Sequence, residues 1–196
     1  LMINSHQPLT GPVSWYEVHL KSDEGLDVMG GLFIGAPTLG VGFTQHHGWG
    51  VTVNEPDLVD IFVLEIDPKN QNRYRLDGEW HELEQFDIPI KILFWGWLPW
   101  SVMETGYRSV HGPVMRTSHG TYAIRYAGMD EIRQVEQWLA INKAKSFDEW
   151  QAAMFQQHIA SFNFVYANAD GIIHFLHNAM MPRRLKGWNW NQYLPG

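Results

Sequence analysis

Glycine and proline cut the first hundred residues into short apolar runs, and this punctuation constrains the fold more than any other feature of the chain. The segments 15–20, 27–34, 40–44, 49–53 and 61–66 are rich in β-branched and aromatic residues and bounded by turn formers. They are expected to be strands. Asp77-Gly78, inside 74–80, supplies the pair of positive φ angles that a two-residue hairpin turn needs. Further strands are expected over 88–94 and 107–110.

Helical spacing takes over near residue 130. Ile132, Val135, Trp138 and Leu139 fall on one helical face, with Asp130 as its N-cap. Ser146-Phe147-Asp148-Glu149 has the capping-box pattern and opens a second helix whose face carries Phe147, Trp150 and Met154. Beyond it, 163–167 and 172–176 are expected to form two strands about an Asn168-Ala169-Asp170-Gly171 turn. Strands, a helix pair and strands again make an α+β chain with helices layered over a sheet.

Composition narrows the function. With 196 residues, 45% of them hydrophobic, the chain has material for one core or for a share of a larger one. A net charge of −7 and scattered Lys and Arg, apart from Arg183-Arg184-Leu185-Lys186, argue against a nucleic-acid partner. There is no cysteine, which excludes a disulfide framework, a thiol nucleophile and thiolate metal sites. The most apolar run, 90–100, contains Lys91, Gly96 and Pro99 and is too short to span a bilayer. Its tryptophans, Trp95, Trp97 and Trp100, belong on a buried or partner-covered hairpin; the alternative is a ligand-gripping surface.

Few side-chain groupings suggest chemistry by themselves. Ser5 and His6 are adjacent, and in a strand adjacent side chains point to opposite faces, which rules out a dyad. His46-His47 diverge for the same reason, and the three-residue spacing of His174 and His177 suits a helix, not the strand expected there. Zinc is not expected, nor is any organic cofactor. Taken by themselves, His6 is a loop residue ahead of a proline, Asn163 starts a strand, and Asp57 and Asp60 are turn acids.

Several longer segments change those readings. They are Ser5-His6-Gln7-Pro8, the run Gly11-Pro12-Val13-Ser14-Trp15-Tyr16-Glu17-Val18-His19-Leu20, and Gly30-Gly31-Leu32-Phe33-Ile34-Gly35-Ala36-Pro37. With them go Gly48-Trp49-Gly50-Val51-Thr52-Val53, Asp57-Leu58-Val59-Asp60-Ile61-Phe62, Ser161-Phe162-Asn163-Phe164-Val165-Tyr166-Ala167 and Met181-Pro182-Arg183-Arg184. In this order and spacing they resemble the nucleophile-bearing chain of the penicillin acylase family, the N-terminal-nucleophile hydrolases that cleave amides. The resemblance covers nearly the whole chain. One departure is Ile172, where the family often has asparagine after the turn glycine.

The resemblance implies the four-layer αββα sandwich of those hydrolases. It puts residues 1–60 and 119–196 in the sandwich and 61–118 in a mostly β insertion. It implies an amide hydrolase of N-acyl compounds, such as acyl-homoserine lactones or penicillin-like amides, periplasmic or secreted. In the family an N-terminal serine attacks, and its α-amine, with an ordinary pKa of roughly 7.7–8, takes the proton. That serine lies one short hairpin upstream of the His6 segment, and this chain opens on Leu1. The 196 residues are therefore expected to be inactive alone and to work with the remaining segments of the same precursor.

Residue roles follow by the same route. His6 would hold the serine's amine and hydroxyl in register. The backbone N–H of Val53 and the side-chain amide of Asn163 would bind the oxyanion. Asp57, the carbonyl of Val59 and Asp60 match a structural calcium site in penicillin G acylases. Two carboxylates and a carbonyl are hard oxygen donors, and calcium takes six to eight.

Overall fold

The computed structural model describes residues 3–196; Leu1 and Met2 lie outside the described residues. In chain order the first strands are β1 (Trp15–Lys21), β2 (Asp27–Phe33), β3 (Val41–Phe43), β4 (His47–Thr52), β5 (Val59–Val63), β6 (Ile66–Asp67), β7 (Asn70–Leu76) and β8 (Glu79–Glu82). Then come β9 (Glu84–Phe94), β10 (Leu98–Ser109), β11 (Gly112–Thr117) and β12 (Gly120–Tyr126). Helices α1 (Gln134–Lys143) and α2 (Phe147–Met154) lead to β13 (Ser161–Asn168), β14 (Ile173–Ala179) and β15 (Leu194–Pro195). Two compact units result: residues 1–57 with 128–181, and residues 58–127 with 182–196.

In the first unit six strands form one antiparallel sheet in the order β1-β2-β3-β4-β13-β14. Strand alternation decides which side chains meet the helices. Phe164 and Tyr166 of β13 and Trp49 and Val51 of β4 pack with Trp150, Met154 and Ile141 into one core. Asn163 and Val165, at the alternate positions, lie on the other face. This is an α+β arrangement, one helical layer on one sheet.

Two helix starts illustrate different local control. At α2 the Ser146 hydroxyl accepts the Glu149 N–H at 3.2 Å, as the capping box requires, while the Glu149 carboxylate reaches back one residue further, to the Lys145 N–H at 2.8 Å. At α1 the expected Asp130 cap does not form. The helix begins at Gln134, its N-cap is Arg133, and no side chain caps it. The Glu131 carboxylate takes the Arg133 N–H and guanidinium instead, at 2.8, 2.9 and 2.6 Å.

The buried face of α1 also differs from the apolar pattern. Ile132, Val135 and Leu139 are exposed, and the buried residues are Gln137, Ile141 and Asn142. Both polar side chains use oxygen and nitrogen on backbone groups. Gln137 Oε1 accepts the N–H groups of His158 and Ile159 at 2.8 and 2.7 Å, and its Nε2 donates to the Met154 carbonyl. Asn142 Oδ1 accepts the Leu39 N–H at 2.8 Å and Nδ2 donates to the Leu39 carbonyl at 3.0 Å.

The second unit holds a sheet ordered β15-β5-β12-β11-β10-β9 and a three-stranded sheet β6-β7-β8. Asp77 and Gly78 sit at φ 50° and 87°, the paired positive angles expected of their turn. Leu64, Tyr74, Leu83 and Ala123 form the core. Strand β15 runs parallel to β5, with Leu194 opposite Phe62, so residues 182–196 group with this unit and not with the sandwich segments to which the sequence reading assigned them. The unit opens at Leu58 and its first segment closes at Ala127, where the sequence reading drew 61 and 118. The β9–β10 hairpin stands exposed, with Trp95, Trp97 and Trp100 at 82%, 71% and 59% of full accessibility. It is not buried in this chain. Its alternation puts Phe86, Ile88, Ile90, Ile92 and Phe94 on one face, pairing with Leu98, Trp100 and Val102 widens that face, and it is left largely open to solvent.

Candidate active site

Strands β4 and β13 are far apart in sequence, and their pairing brings the candidate residues together. Thr52 and Asn163 are direct cross-strand partners at the last paired position of β4. The Asn163 amide Nδ2 donates to Thr52 Oγ1 at 3.1 Å and to the Val53 carbonyl at 3.2 Å. Val53 itself lies one residue past the strand end, 66% exposed. The two residues expected to bind the oxyanion are therefore in contact, through the Val53 carbonyl.

Thr52 and Val53 border an apolar cleft of about 240 Å³. Trp15, Phe33, Val51, Trp138 and Phe162 line it, together with Ser5 and Gln7 and the 36–40 loop. Its walls are rigid for identifiable reasons. Trp15 stacks on Phe33 with ring centroids 4.5 Å apart and donates its indole N–H to Ser5 Oγ at 2.9 Å. Gly40 carries no Cβ where the Trp15 ring passes; one built there would meet that ring at 3.1 Å. Asn142 clamps Leu39, and with it the loop, from the helical layer. An elongated apolar group fits this lining better than a charged one.

His6 stands apart from the cleft. Ser5 and Gln7 line it, whereas His6 is exposed, at φ 56°, with its N–H on Asn4 Oδ1 at 2.9 Å. The Ser5 hydroxyl is engaged by Trp15, not by His6. The histidine pairs also separate: His174 packs on Phe147 and Trp150 in the core, while His177 faces the other way toward Asn163. Among the described residues no group of three or more His, Asp or Glu gathers as a metal site would.

The calcium set fits its ion poorly as arranged. Asp60 is buried, and its carboxylate holds the Arg184 guanidinium at 2.8 and 3.4 Å. A carboxylate occupied by a guanidinium is not presented as a hard ligand, so calcium at Asp57, Val59 and Asp60 requires Arg184 to leave. No step below depends on calcium.

The family model for penicillin amidase matches residues 1–196. The chain belongs to the penicillin amidase family. Acyl-homoserine lactone acylase PvdQ of Pseudomonas fluorescens is 30% identical over 190 residues, covering 93% of this chain and 24% of that protein. Penicillin G acylase of Escherichia coli is 27% identical over 212 residues, with 100% and 24% covered. Among solved structures, a thermostable penicillin G acylase from Alcaligenes faecalis superposes with a TM-score of 0.80 at 26% identity, covering 93% of this chain and 33% of that one. The chain thus spans about a quarter of the length of the curated relatives it matches, and it shares the fold of the solved acylase.

Sequence reasoning passed over two residues of this candidate site. Thr52 entered only as part of a motif, and His177 only as a rejected zinc ligand. A signal existed for the second. Pairing 161–168 with 173–179 about the turn at 168–171 puts Asn163 opposite His177 by register alone.

Proposed function

We propose that this chain is a segment of an amide hydrolase that cleaves N-acyl compounds through an acyl-enzyme, and that Val53 and Asn163 bind the oxyanion. The observation that carries the reading is that Asn163 meets Val53, and that Val53 in turn borders an apolar cleft. An acyl transferase site needs two donors where the carbonyl oxygen becomes negative, and an apolar channel for the acyl group beside them. In the resting chain both Nδ2 hydrogens are occupied, by Thr52 and by the Val53 carbonyl. One of them must turn to the substrate oxygen as charge develops.

By this reading the attacking serine belongs to the precursor outside these 196 residues, with His6 ordering it and the other segments completing the site. The substrate leans to aliphatic acyl chains, including acyl-homoserine lactones, over phenylacetyl amides, because the relative at 30% identity is an acyl-homoserine lactone acylase. Selectivity will be modest, since a methylene in an apolar pocket is worth roughly 1–3 kcal/mol. The compartment carried with the reading is periplasmic or secreted; no helix among the described residues is long and apolar enough to cross a membrane.

The test is turnover by the complete protein on acyl-homoserine lactones of several lengths beside benzylpenicillin. Asn163→Ala is expected to lower kcat by roughly 10²–10³, the usual cost of one oxyanion donor. The purified 196-residue chain should hydrolyse neither class. Full activity of Asn163→Ala, or strong hydrolysis by the chain alone, overturns the reading. A clear preference for benzylpenicillin overturns the substrate lean only.

A further inference from the structure

The strands β4, β13 and β14 are neighbours in one sheet, and Thr52, Asn163 and His177 occupy facing positions across them. Three hydrogen bonds join the row. Asn163 Nδ2 donates to Thr52 Oγ1 at 3.1 Å and to the Val53 carbonyl at 3.2 Å, and Asn163 Oδ1 faces His177 Nδ1 at 2.9 Å. We propose that His177 is a positioning residue, which holds the Asn163 amide with its nitrogen toward Val53.

An asparagine amide has two orientations of equal shape and opposite electrostatics. With Nδ2 toward Val53, it offers N–H to a negative oxygen there. Turned over, it offers a carbonyl oxygen to the same position and repels the charge it should bind. Thr52 does not choose between the two, because a hydroxyl both donates and accepts. The Val53 carbonyl favours the nitrogen, but its bond to Nδ2 is lost if that hydrogen is the one that turns to the substrate oxygen. His177 is the partner behind the amide, away from the reacting atoms. With its proton on Nδ1 it donates to Oδ1 and leaves only Nδ2 for the cleft side. The bond also persists when one Nδ2 hydrogen moves to substrate, so the donor is held in place when it is needed.

This inference rests on the reading of Asn163 as an oxyanion donor, and the experiment separates the two. In the complete protein, kcat and KM are measured for octanoyl-homoserine lactone and benzylpenicillin, using Asn163→Ala, His177→Ala, His177→Asn and the double variant Asn163→Ala/His177→Ala. His177→Ala is expected to lower kcat by roughly 10- to 10²-fold, as loss of orientation does, with KM within about twofold. His177→Asn, whose amide nitrogen falls close to where Nδ1 lies, should restore most of that loss. In the Asn163→Ala background, removing His177 should cost nothing further, because a residue that acts only through another loses its effect with it. His177 is exposed, so the urea midpoints of His177→Ala and His177→Asn should match the parent's.

Undiminished turnover by Asn163→Ala sinks the oxyanion reading and this inference with it. Slow turnover by Asn163→Ala with full turnover by His177→Ala overturns the inference alone. So does an equal His177→Ala loss in both backgrounds, or a loss that appears in KM and not in kcat.

Discussion

At the scale of single residues, burial and pairing set two opposite pH behaviours. Burial pushes the His47 imidazole down to about 4, with the nearby His46 charge adding to the shift; it stacks between Trp49 and Tyr166. The unfolded imidazole titrates near 6.5, so between about 4 and 6.5 the unfolded chain binds more protons and stability rises with pH. His47 therefore contributes its full share above about 6.5 and progressively less down to about 4. The urea midpoint of the parent should fall across that window, and His47→Gln should flatten the fall. Glu131 behaves as a paired acid. Hydrogen bonds from the Arg133 side chain, then from its backbone, hold it at about 2, with a smaller contribution from His158. That contribution is present above about 4.5 and is lost as pH falls through about 2. NMR titration of the Glu131 carboxyl carbon should show a midpoint well below that of an ordinary glutamate, and Arg133→Ala should return it toward the usual range.

At the scale of elements, two buried amides of α1 fasten the helical layer to neighbouring segments, and one of them reaches the loop that borders the cleft. Gln137 and Asn142 each satisfy backbone groups of another segment, those of 154–159 and of Leu39. Truncating either leaves buried backbone groups without partners, at about 1–3 kcal/mol for each. Asn142→Ala is accordingly expected to lower unfolding free energy by several kcal/mol in urea titrations. It should also raise KM in the complete protein more than it lowers kcat, because the loosened 36–40 loop lines the acyl cleft and not the oxyanion donors. Asn142→Asp keeps the Leu39 N–H contact but turns a carboxylate oxygen on the buried Leu39 carbonyl, and should be no more stable than Asn142→Ala.

At the scale of the molecule, each unit is assembled from two stretches of chain. In the second, the closing stretch returns to β5 through β15 and through the Asp60–Arg184 pair. Breaking a largely buried pair by removing one partner costs roughly 3–5 kcal/mol. Arg184→Met should therefore lower the unfolding midpoint of the chain markedly, and Asp60→Asn should do so too by leaving Arg184 uncompensated. Because the guanidinium already neutralises the Asp60 carboxylate, neither added calcium nor a chelator is expected to move the midpoint of the parent. A calcium-dependent rise in thermal midpoint contradicts this and restores the metal reading.

Local chemistry was enough for much of the architecture. The strands β1 and β2, the Asp77-Gly78 turn and the Ser146 cap follow from residues within a few positions of one another, and so they could be read directly. Strands β11 and β12 could not, because Arg116, Thr117, His119 and Gly120 blur their alternation and only pairing with β10 and β5 makes them strands. The inner face of α1 was misread for a related reason. Gln137 and Asn142 are tolerable inside only because distant backbone groups satisfy them, and periodicity carries no record of that. The motifs carried the family and nominated Val53 and Asn163. Tertiary structure alone decided that Asn163 meets Thr52, that His6 stands outside the cleft, and that Asp60 faces Arg184. Each is a contact across tens of residues or more, or a choice of side-chain direction, fixed by sheet register and core packing that no local window of sequence contains.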